Sequence, residues 1–350
     1  MPIIKTPYVK SVSGKTGDVT LTNSDVGLSN VTNNTIPVPD VRNNTTLSPT
    51  IFIPSGTGKF EKALSVAGAV LDGVTDDSTA FQTALDAMPT GRISEYQLPP
   101  DISSIKFNSG ITIYANKHAL MARGTVFDFS GMTSGTAITI DGGDNNNTYG
   151  QCMAELVRAH IVGPGRTSSV DGIKFTGSGT SSPNQGSARF SLRNCRVRNF
   201  RKGVTWFNRS YGTTLFNCEV HSNGVGYHVR GGAYDAYENQ GVVRGGVFNN
   251  DINIYMEDGM LTLFGTSVDY AEYLQIAGRV GTLTLNDCHV EYAIRNGNYG
   301  GVGGIYSTNA PLAAFDLAPA LTSALRTDLD LNSTTQSGLQ NWIHMRMNGG

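Results

Sequence analysis

Three carboxylates in the second half of the chain have the spacing that glycoside cleavage requires. Asp269 and Glu291 occupy the same position of two successive repeats, and Glu219 lies two repeats before Asp269. Neighbouring strands of a stacked β-structure are about 4.8 Å apart, so carboxyl groups on adjacent turns interact and one apparent pKa is raised. Glycosidases use pairs about 5 Å apart for retention or roughly 6.5–9.5 Å apart for inversion, and Glu219 with Asp269 suits the wider spacing. The pattern predicts Asp269, Glu291 and Glu219 as catalytic residues.

Basic side chains occupy the same positions of other repeats. His221 and His289, together with Arg198 beside Arg196, can position a substrate or stabilise charge. We therefore predict His221, His289 and Arg198 as substrate-binding residues. Outward faces of solvated sheets carry charged residues in any case, so a structural role for each one is the alternative.

Tyrosines concentrate in the same half of the chain, near Trp206. A tyrosine offers an apolar ring and a hydroxyl at low entropic cost, which suits a sugar ring with a polar rim. Tyr234, Tyr237 and Glu238 lie in the longest loop between repeats, GGAYDAYENQG (231–241). A long loop is a natural binding projection, and these three residues complete the predicted substrate site. Stacking of aromatic rings in the interior is the alternative for the tyrosines, and it applies in particular to Tyr227, Tyr255 and Tyr292.

The repeats themselves must position these side chains. Blocks beginning at Leu192, Leu215, Val243, Leu263 and Leu285 resemble one another and recur about every 20 to 28 residues. Short strands rich in β-branched and aromatic residues, separated by Gly and Asn, favour a parallel β-helix over a leucine-rich repeat. Because strand side chains alternate, the fourth and sixth positions of each block face inward and the fifth and seventh face outward.

This register makes specific assignments. The predicted inward stack of small residues is Cys195, Cys218, Gly246, Thr266 and Cys288. The predicted outward pairs are Arg196 and Arg198, Glu219 and His221, Val247 and Asn249, Ser267 and Asp269, and His289 and Glu291, with His160 from an earlier turn. The cysteines are accordingly predicted to be reduced packing residues, because nothing indicates secretion.

The stretch from Gly68 to Met88, GAVLDGVTDDSTAFQTALDAM, has the residues of a turn followed by a short amphipathic helix. Asp76 or Asp77 is expected to cap a helix at about 77–88. The whole string resembles the opening of the pectate-lyase-like right-handed β-helix superfamily, in which such a helix plugs the N-terminal end of the solenoid. That resemblance implies an all-β fold, a right-handed parallel β-helix with a short N-terminal capping helix.

The first sixty residues are different in character. The segment from Gly14 to Asn33 is similar to the GKTGxVTLTxxDVGLxNVxN segments of bacteriophage tail fibres and tailspikes. The resemblance implies an extended virion-attachment segment, and a disordered polar tail is the alternative. We predict three regions: an attachment segment and linker at 1–59, the β-helix at 60–310, and a C-terminal cap or tail at 311–350.

Composition excludes several classes. Charged residues make up 15% and the formal net charge is −2, which argues against a nucleic-acid partner. No stretch predicts membrane insertion or a signal peptide, and no motif has metal-ligand spacing, so neither metal nor cofactor is expected.

Three functions fit this sequence. The resemblances imply a homotrimeric phage tailspike in the virion, made in the host cytoplasm and attached to the baseplate or other tail proteins through residues 1–59. It would bind and depolymerise host surface polysaccharide, capsule or lipopolysaccharide O-antigen, as a hydrolase rather than a lyase. A non-catalytic receptor-binding spike and a structural baseplate or tail component with the same fold are the alternatives.

Overall fold

A computed structural model gives the three-dimensional structure. It describes residues 59–88, 94–115, 118–142, 154–177, 189–207, 210, 212–230, 240–257, 259–272, 274–278, 281–290, 316–317 and 343–348. The chain divides into two compact units, Met1–Ser48 and Pro49–Gly350, and every described residue belongs to the second. The predicted three-region division stays a prediction.

The described residues form two helices and twenty-five strands. The helices are α1 (Lys59–Val66) and α2 (Ser78–Asp86). The strands are β1 (Ser94–Gln97), β2 (Ser104–Lys106), β3 (Ile111–Tyr114), β4 (His118–Met121), β5 (Val126–Asp128), β6 (Ser134–Asp141), β7 (Glu155–Val157), β8 (His160–Val162), β9 (Ser169–Thr176), β10 (Ser191–Arg193), β11 (Arg196–Arg198), β12 (Lys202–Trp206), β13 (Thr214–Phe216), β14 (Glu219–His221), β15 (Val225–Val229), β16 (Gln240–Val243), β17 (Gly246–Phe248), β18 (Ile252–Met256), β19 (Met260–Phe264), β20 (Ser267–Asp269), β21 (Leu274–Gly278), β22 (Gly281–Asn286), β23 (His289–Val290), β24 (Asp316–Leu317) and β25 (Ile343–Asn348).

Every third strand joins the same sheet. The first sheet has the order β1-β4-β7-β10-β13-β16-β19-β22-β25, the middle sheet β2-β5-β8-β11-β14-β17-β20-β23, and the third sheet β24-β21-β18-β15-β12-β9-β6-β3. All the pairings are parallel, as between β11 and β14. The protein is a right-handed parallel β-helix, which confirms the predicted fold class.

In-register stacks of apolar residues fill the interior. In the first sheet Leu192 pairs with Leu215, and in the middle sheet Val197 pairs with Val220; all four are buried. The third sheet contributes larger rings, with Trp206 stacked on Phe175 at a centroid distance of 6.0 Å. Trp206 is therefore a core residue, and the interior alternative for the aromatic residues is correct in its case.

Left-handed residues make the corner between the first and middle sheets. They are Arg123, Arg158, Asn194, Asn217, Arg244, Gly265 and Asp287, with φ between 50° and 58°. Asn, Asp and Gly tolerate this conformation best, which explains why they recur at the third position of the blocks.

The predicted register is wrong by one residue in one turn. Leu215 pairs with Val242, so Gly246 lies opposite Glu219 on the outer face, while Val247 is buried inside. The outward residue after Val247 is Phe248 rather than Asn249. The reason is that Arg244 adopts the left-handed corner conformation. Gly245 then takes the inward position of the cysteine stack, where a Cβ would lie 2.6 Å from the Cys218 carbonyl oxygen.

Cysteines stack inside as predicted. Cys195, Cys218 and Cys288 are free and buried, and the pairing of Arg196 with Glu219 puts Cys195 and Cys218 at equivalent positions of adjacent turns. Each thiol donates to a backbone carbonyl of its own corner, Cys195 to that of Arg193 and Cys218 to that of Phe216.

Two helices, rather than the predicted one, close the N-terminal end. Phe81 of α2 makes edge contacts with Phe107 and Phe127 of the first turns, and Phe60 of α1 packs on Phe81 at 5.5 Å. The capping prediction is wrong for Asp77, whose carboxylate accepts from the amides of Val70 and Leu71.

Asp76 takes the capping role instead, because its Oδ1 accepts from the Ser78 amide at 3.0 Å. The same oxygen also accepts from the Asn108 amide at 3.0 Å, which joins the start of α2 to the segment after β2.

Candidate functional site

The outer surface of the middle sheet, here called the middle face, carries two columns of outward side chains. The first column is Ser104, Val126, His160, Arg196, Glu219, Gly246, Ser267 and His289. The second column is Lys106, Asp128, Val162, Arg198, His221, Phe248 and Asp269. Successive members of a column are about 4.8 Å apart.

Glu219 is paired with an arginine of the preceding turn. Its Oε2 accepts from Arg196 Nε at 2.6 Å, and each side chain is 45% exposed. The carboxylate is therefore directed away from Asp269, which lies two turns further along. Glu219 and Asp269 each have their own partners in this arrangement, and an exposed pair of the Arg196–Glu219 kind adds little stability.

The His221 ring packs against a neighbouring aromatic ring instead of projecting into solvent. Its ring stacks on Phe248 with centroids 4.9 Å apart and planes 3° from parallel. Burial lowers the pKa of His221, and the charge of Arg196 lowers it further. The same two causes lower the pKa of His160. Both rings are consequently neutral near pH 7 and can accept as well as donate a hydrogen bond.

Asp269 and His289 form a hydrogen-bonded pair near the far end of the face. Oδ1 of Asp269 lies 3.1 Å from Nδ1 of His289, and Oδ2 accepts from the Ser267 hydroxyl. The Asp269 side chain is 14% exposed, whereas that of His289 is 50% exposed. A carboxylate held in this way orients the imidazole, so that Nδ1 carries the proton and Nε2 can accept one.

The other predicted residues divide into two groups. Arg198 is exposed on the middle face between Val162 and His221, as expected from the register. Glu291, Tyr234, Tyr237 and Glu238 lie outside the described residues. The pairing of Asp269 with Glu291 and the binding role of the loop stay predictions.

A second group of ionisable side chains lies on the outside of the third sheet, and the sequence analysis missed it. Lys174, Thr205 and His228 are successive members of one outward column, in register on β9, β12 and β15. Arg230 and Glu257 directly follow β15 and β18 and extend the ladder: the Arg230 amide donates a hydrogen bond to Trp206 O at 2.9 Å, and the Glu257 amide donates one to Val229 O at 2.7 Å. Together with Phe207, which follows β12, these residues are called the third-face cluster.

Charge in the third-face cluster is buried. His228 has a fully buried side chain, and its Nε2 lies 3.1 Å from Glu257 Oε1, whose side chain is 7% exposed. Burial lowers the pKa of His228, although the Glu257 hydrogen bond opposes the shift. Burial also lowers the pKa of Lys174, and the nearby Arg230 adds to that shift.

The repeated blocks do not indicate this cluster because they form only the first two sheets. The third strands have their own signal, KGVTW, VGYHV and INIYM, in which Thr205, His228 and Tyr255 occupy the same register position of three buried strands. Polar residues at equivalent places in buried strands are the pattern that would have indicated the site.

The described residues include neither a membrane-spanning helix nor a metal-binding group of side chains. None of the described helices is long and apolar enough to cross a bilayer. Within the described ranges, no three His, Cys, Asp or Glu side chains are grouped as a metal site requires.

Comparison with known proteins gives structural similarities alone. No protein-family model and no curated protein matches the chain. Among solved structures, ORF18 of Geobacillus virus E2 is similar over 65% of this chain and 48% of that chain, with 16% identity and a TM-score of 0.44. The enzymatically active domain of tailspike protein 2 of bacteriophage CBA120 is similar over 70% of this chain and 44% of that chain, with 14% identity and a TM-score of 0.38.

The chain spans less than half the length of either structure. The likeness concerns the fold alone. No residue role is transferred at these identities.

Proposed function

We propose that this protein is a bacteriophage tail component that binds a host surface polysaccharide, capsule or lipopolysaccharide O-antigen, and depolymerises it during adsorption. The observation that carries the proposal is the pair of Asp269 and His289 on the middle face, where an oriented imidazole is half exposed beside a largely buried carboxylate. The tail-fibre-like segment from Gly14 to Asn33 supports the phage origin. The lateral face of a β-helix also offers a long surface to an extended sugar chain.

The geometry favours His289 as the general base over a mechanism in which two neighbouring carboxyl groups act as acid and base. Asp269 holds the proton of His289 on Nδ1, so Nε2 accepts a proton from a water molecule as the water oxygen attacks the anomeric carbon. The glycosidic C–O bond breaks, and its oxygen must receive a proton from an acid. We assign that role to Glu291, one repeat beyond Asp269, because Glu219 is held by Arg196 on another turn.

The test is to screen the purified protein on capsule and lipopolysaccharide preparations and to measure new reducing ends. Asp269→Asn and His289→Gln keep shape and remove the base, so turnover should fall about a hundredfold or more. Glu155→Gln, on the first sheet, is the matched control and should keep full activity. Products that absorb in the ultraviolet would identify a lyase that abstracts a ring proton instead of a hydrolase.

Two other outcomes would select the alternative functions. Polysaccharide bound without new reducing ends would identify a non-catalytic receptor-binding spike. No polysaccharide binding at all would leave a structural baseplate or tail component. Full activity in both Asp269→Asn and His289→Gln would move the catalytic site away from this pair.

We propose in addition that the protein acts as a homotrimer in the virion and attaches to the baseplate or other tail proteins through residues 1–59. The outward column of the first sheet supports self-association because it is largely apolar. Its members are Met121, Val157, Arg193, Phe216, Val243 and Phe264. Phe264 is 45% exposed, and burying such a column against a second copy would stabilise an oligomer. Light scattering that gives the monomer mass across micromolar concentrations would refute the trimer.

A further inference from the structure

The third-face cluster contains polar atoms whose hydrogen-bonding capacity is unused. Of the buried side chains that the structure describes, His228 lacks a partner at Nδ1 and Thr205 lacks one at Oγ1. These two residues are register neighbours on β12 and β15. Buried polar atoms in native proteins are nearly always paired, so two adjacent exceptions require an explanation.

Glu257 determines what His228 can offer. The carboxylate lies 3.1 Å from Nε2, so the ring proton belongs on Nε2 and the unpaired Nδ1 is an acceptor. The hydroxyl of Thr205 can donate or accept. A ligand hydroxyl can therefore donate a hydrogen bond to His228 Nδ1 and accept one from the Thr205 hydroxyl on the adjacent turn.

Two cations lie close together at the mouth of the cluster. Lys174 Nζ lies 4.7 Å and Arg230 Cζ 5.3 Å from the centre of the Phe207 ring, so two cations share one aromatic ring. Glu257 is paired with Arg230, with its Oε2 3.9 Å from Arg230 Nε, and the charges of Asp171 and Asp141 act on Lys174. Asp171 in turn accepts hydrogen bonds from Arg201. The Arg230 side chain is 33% exposed, which makes its end of the cluster the entrance.

We propose that the third-face cluster is a subsite for an anionic sugar unit, whose carboxylate or phosphate substituent is bound by Arg230 and Lys174 while a ring hydroxyl reaches Thr205 and His228. An anion placed there relieves the repulsion between two partly buried cations and forms charge-assisted hydrogen bonds with both. The inference rests on the proposed function for its biological setting and narrows the substrate to an acidic polysaccharide. It assigns a binding role to a face that the proposed chemistry does not use.

The direct test measures binding of small probes to the full-length protein by calorimetry at low salt. Glucuronate and glucose 6-phosphate are expected to bind, and glucose at least about tenfold more weakly. Preference for the first probe assigns a carboxylate-bearing sugar and preference for the second a phosphorylated one. Equal binding of glucose, or no binding of either acid, would overturn the proposal.

Matched variants locate the site. Arg230→Gln and Lys174→Gln should each weaken binding of the acidic probe by about tenfold or more. Arg193→Gln is the control, because Arg193 also lies over a phenylalanine, Phe216, at 5.6 Å and beside a glutamate, Glu155, at 3.5 Å, but on the first sheet. Affinity unchanged in Arg230→Gln, or lowered equally in Arg193→Gln, would contradict the assignment.

Thr205→Val separates a binding role from a structural one. Valine has the shape of threonine without the unpaired hydroxyl, so the free protein should melt at the same or a higher temperature while the acidic probe binds more weakly. A variant that is stabilised and binds as tightly as the parent would remove Thr205 from the site.

Failure of this inference is distinguishable from failure of the proposed function. Acidic monosaccharides can bind the cluster even if no polysaccharide is cleaved, and that result would leave the subsite standing. Conversely, cleavage of a neutral polysaccharide with no acidic-probe binding would confirm the activity and refute the subsite.

Discussion

The middle face and the third face carry the same kinds of side chain in different surroundings. On the middle face Arg196 and Glu219 form an ion pair in which both partners are 45% exposed. On the third face Glu257 is 7% exposed and its partner His228 is fully buried. Solvent screens the first pair, whereas the second pair interacts through protein.

This difference indicates which of the two sets of ionisable residues is retained for a reason other than solubility. Exposed ion pairs on an outer sheet contribute roughly 0–1 kcal/mol and can be exchanged freely. Burying a carboxylate and an imidazole costs desolvation energy that apolar residues of similar volume would avoid. The buried ladder is therefore the more informative one about function, although it is the harder one to recognise.

The largest expected effect comes from breaking each pair in turn. Glu257→Gln replaces the charged acceptor of the His228 hydrogen bond by a neutral one, and we expect a loss of about 1.5–3 kcal/mol in the free energy of unfolding. Glu219→Gln should cost less than about 1 kcal/mol. Denaturant titration of both variants measures the contrast, and equal losses would show that the two faces do not differ energetically.

A smaller effect on stability tests the register of β17, that is, which of its residues face outward on the middle face. Gly245→Ala places a Cβ 2.6 Å from the Cys218 carbonyl oxygen, so a backbone shift should cost about 1–3 kcal/mol. Gly246→Ala points outward, where the nearest atom is a Phe248 side-chain carbon at 3.2 Å that can move. If Gly246→Ala proved the more harmful of the two by thermal melting, the predicted register would be right and the observed one wrong.

The sequence allowed most of the fold to be predicted because its constraints are local and repeated. Corner positions need left-handed backbone, and Asn194, Asn217 and Asp287 mark them directly. The slip in the turn of Gly245 arose where two glycines follow Arg244. Glycine fits either position, and the deciding fact is a contact with Cys218 on the preceding turn.

The site was less predictable because it depends on contacts between turns. The position of Asp269 on the middle face followed from the inward–outward alternation of strand side chains. Its hydrogen bonds with Ser267 and His289 depend on side-chain rotamers, which the sequence repeat does not specify. The third-face cluster depends on burial. The short strand VGYHV does not reveal that His228 is enclosed, because an outward residue of a solvated sheet would have the same spacing.

The smallest expected effect is on the pH dependence of stability, to which the histidines of the two faces should contribute unequally. Burial lowers the folded-state pKa of His228, and burial with Arg196 lowers that of His221. A lowered histidine pKa means that the unfolded chain binds more protons once the pH falls below the unfolded value of about 6.5. Stability should consequently decrease as the pH falls from 7 toward 5, by at most about 1.4 kcal/mol per pH unit for each group.

Asp128 is an ionisable group whose pKa moves away from that window. Burial raises the pKa of this carboxyl, but the hydrogen bonds from Lys106 and Ser130 together lower it below its ordinary value. His228→Gln should therefore flatten the stability profile between pH 7 and pH 5 more than His221→Gln, because His228 is fully buried although Glu257 opposes its shift. Denaturant midpoints at several pH values measure both slopes. If His221→Gln flattened the profile more than His228→Gln, the histidine with the more strongly lowered pKa would lie on the middle face, contrary to this prediction.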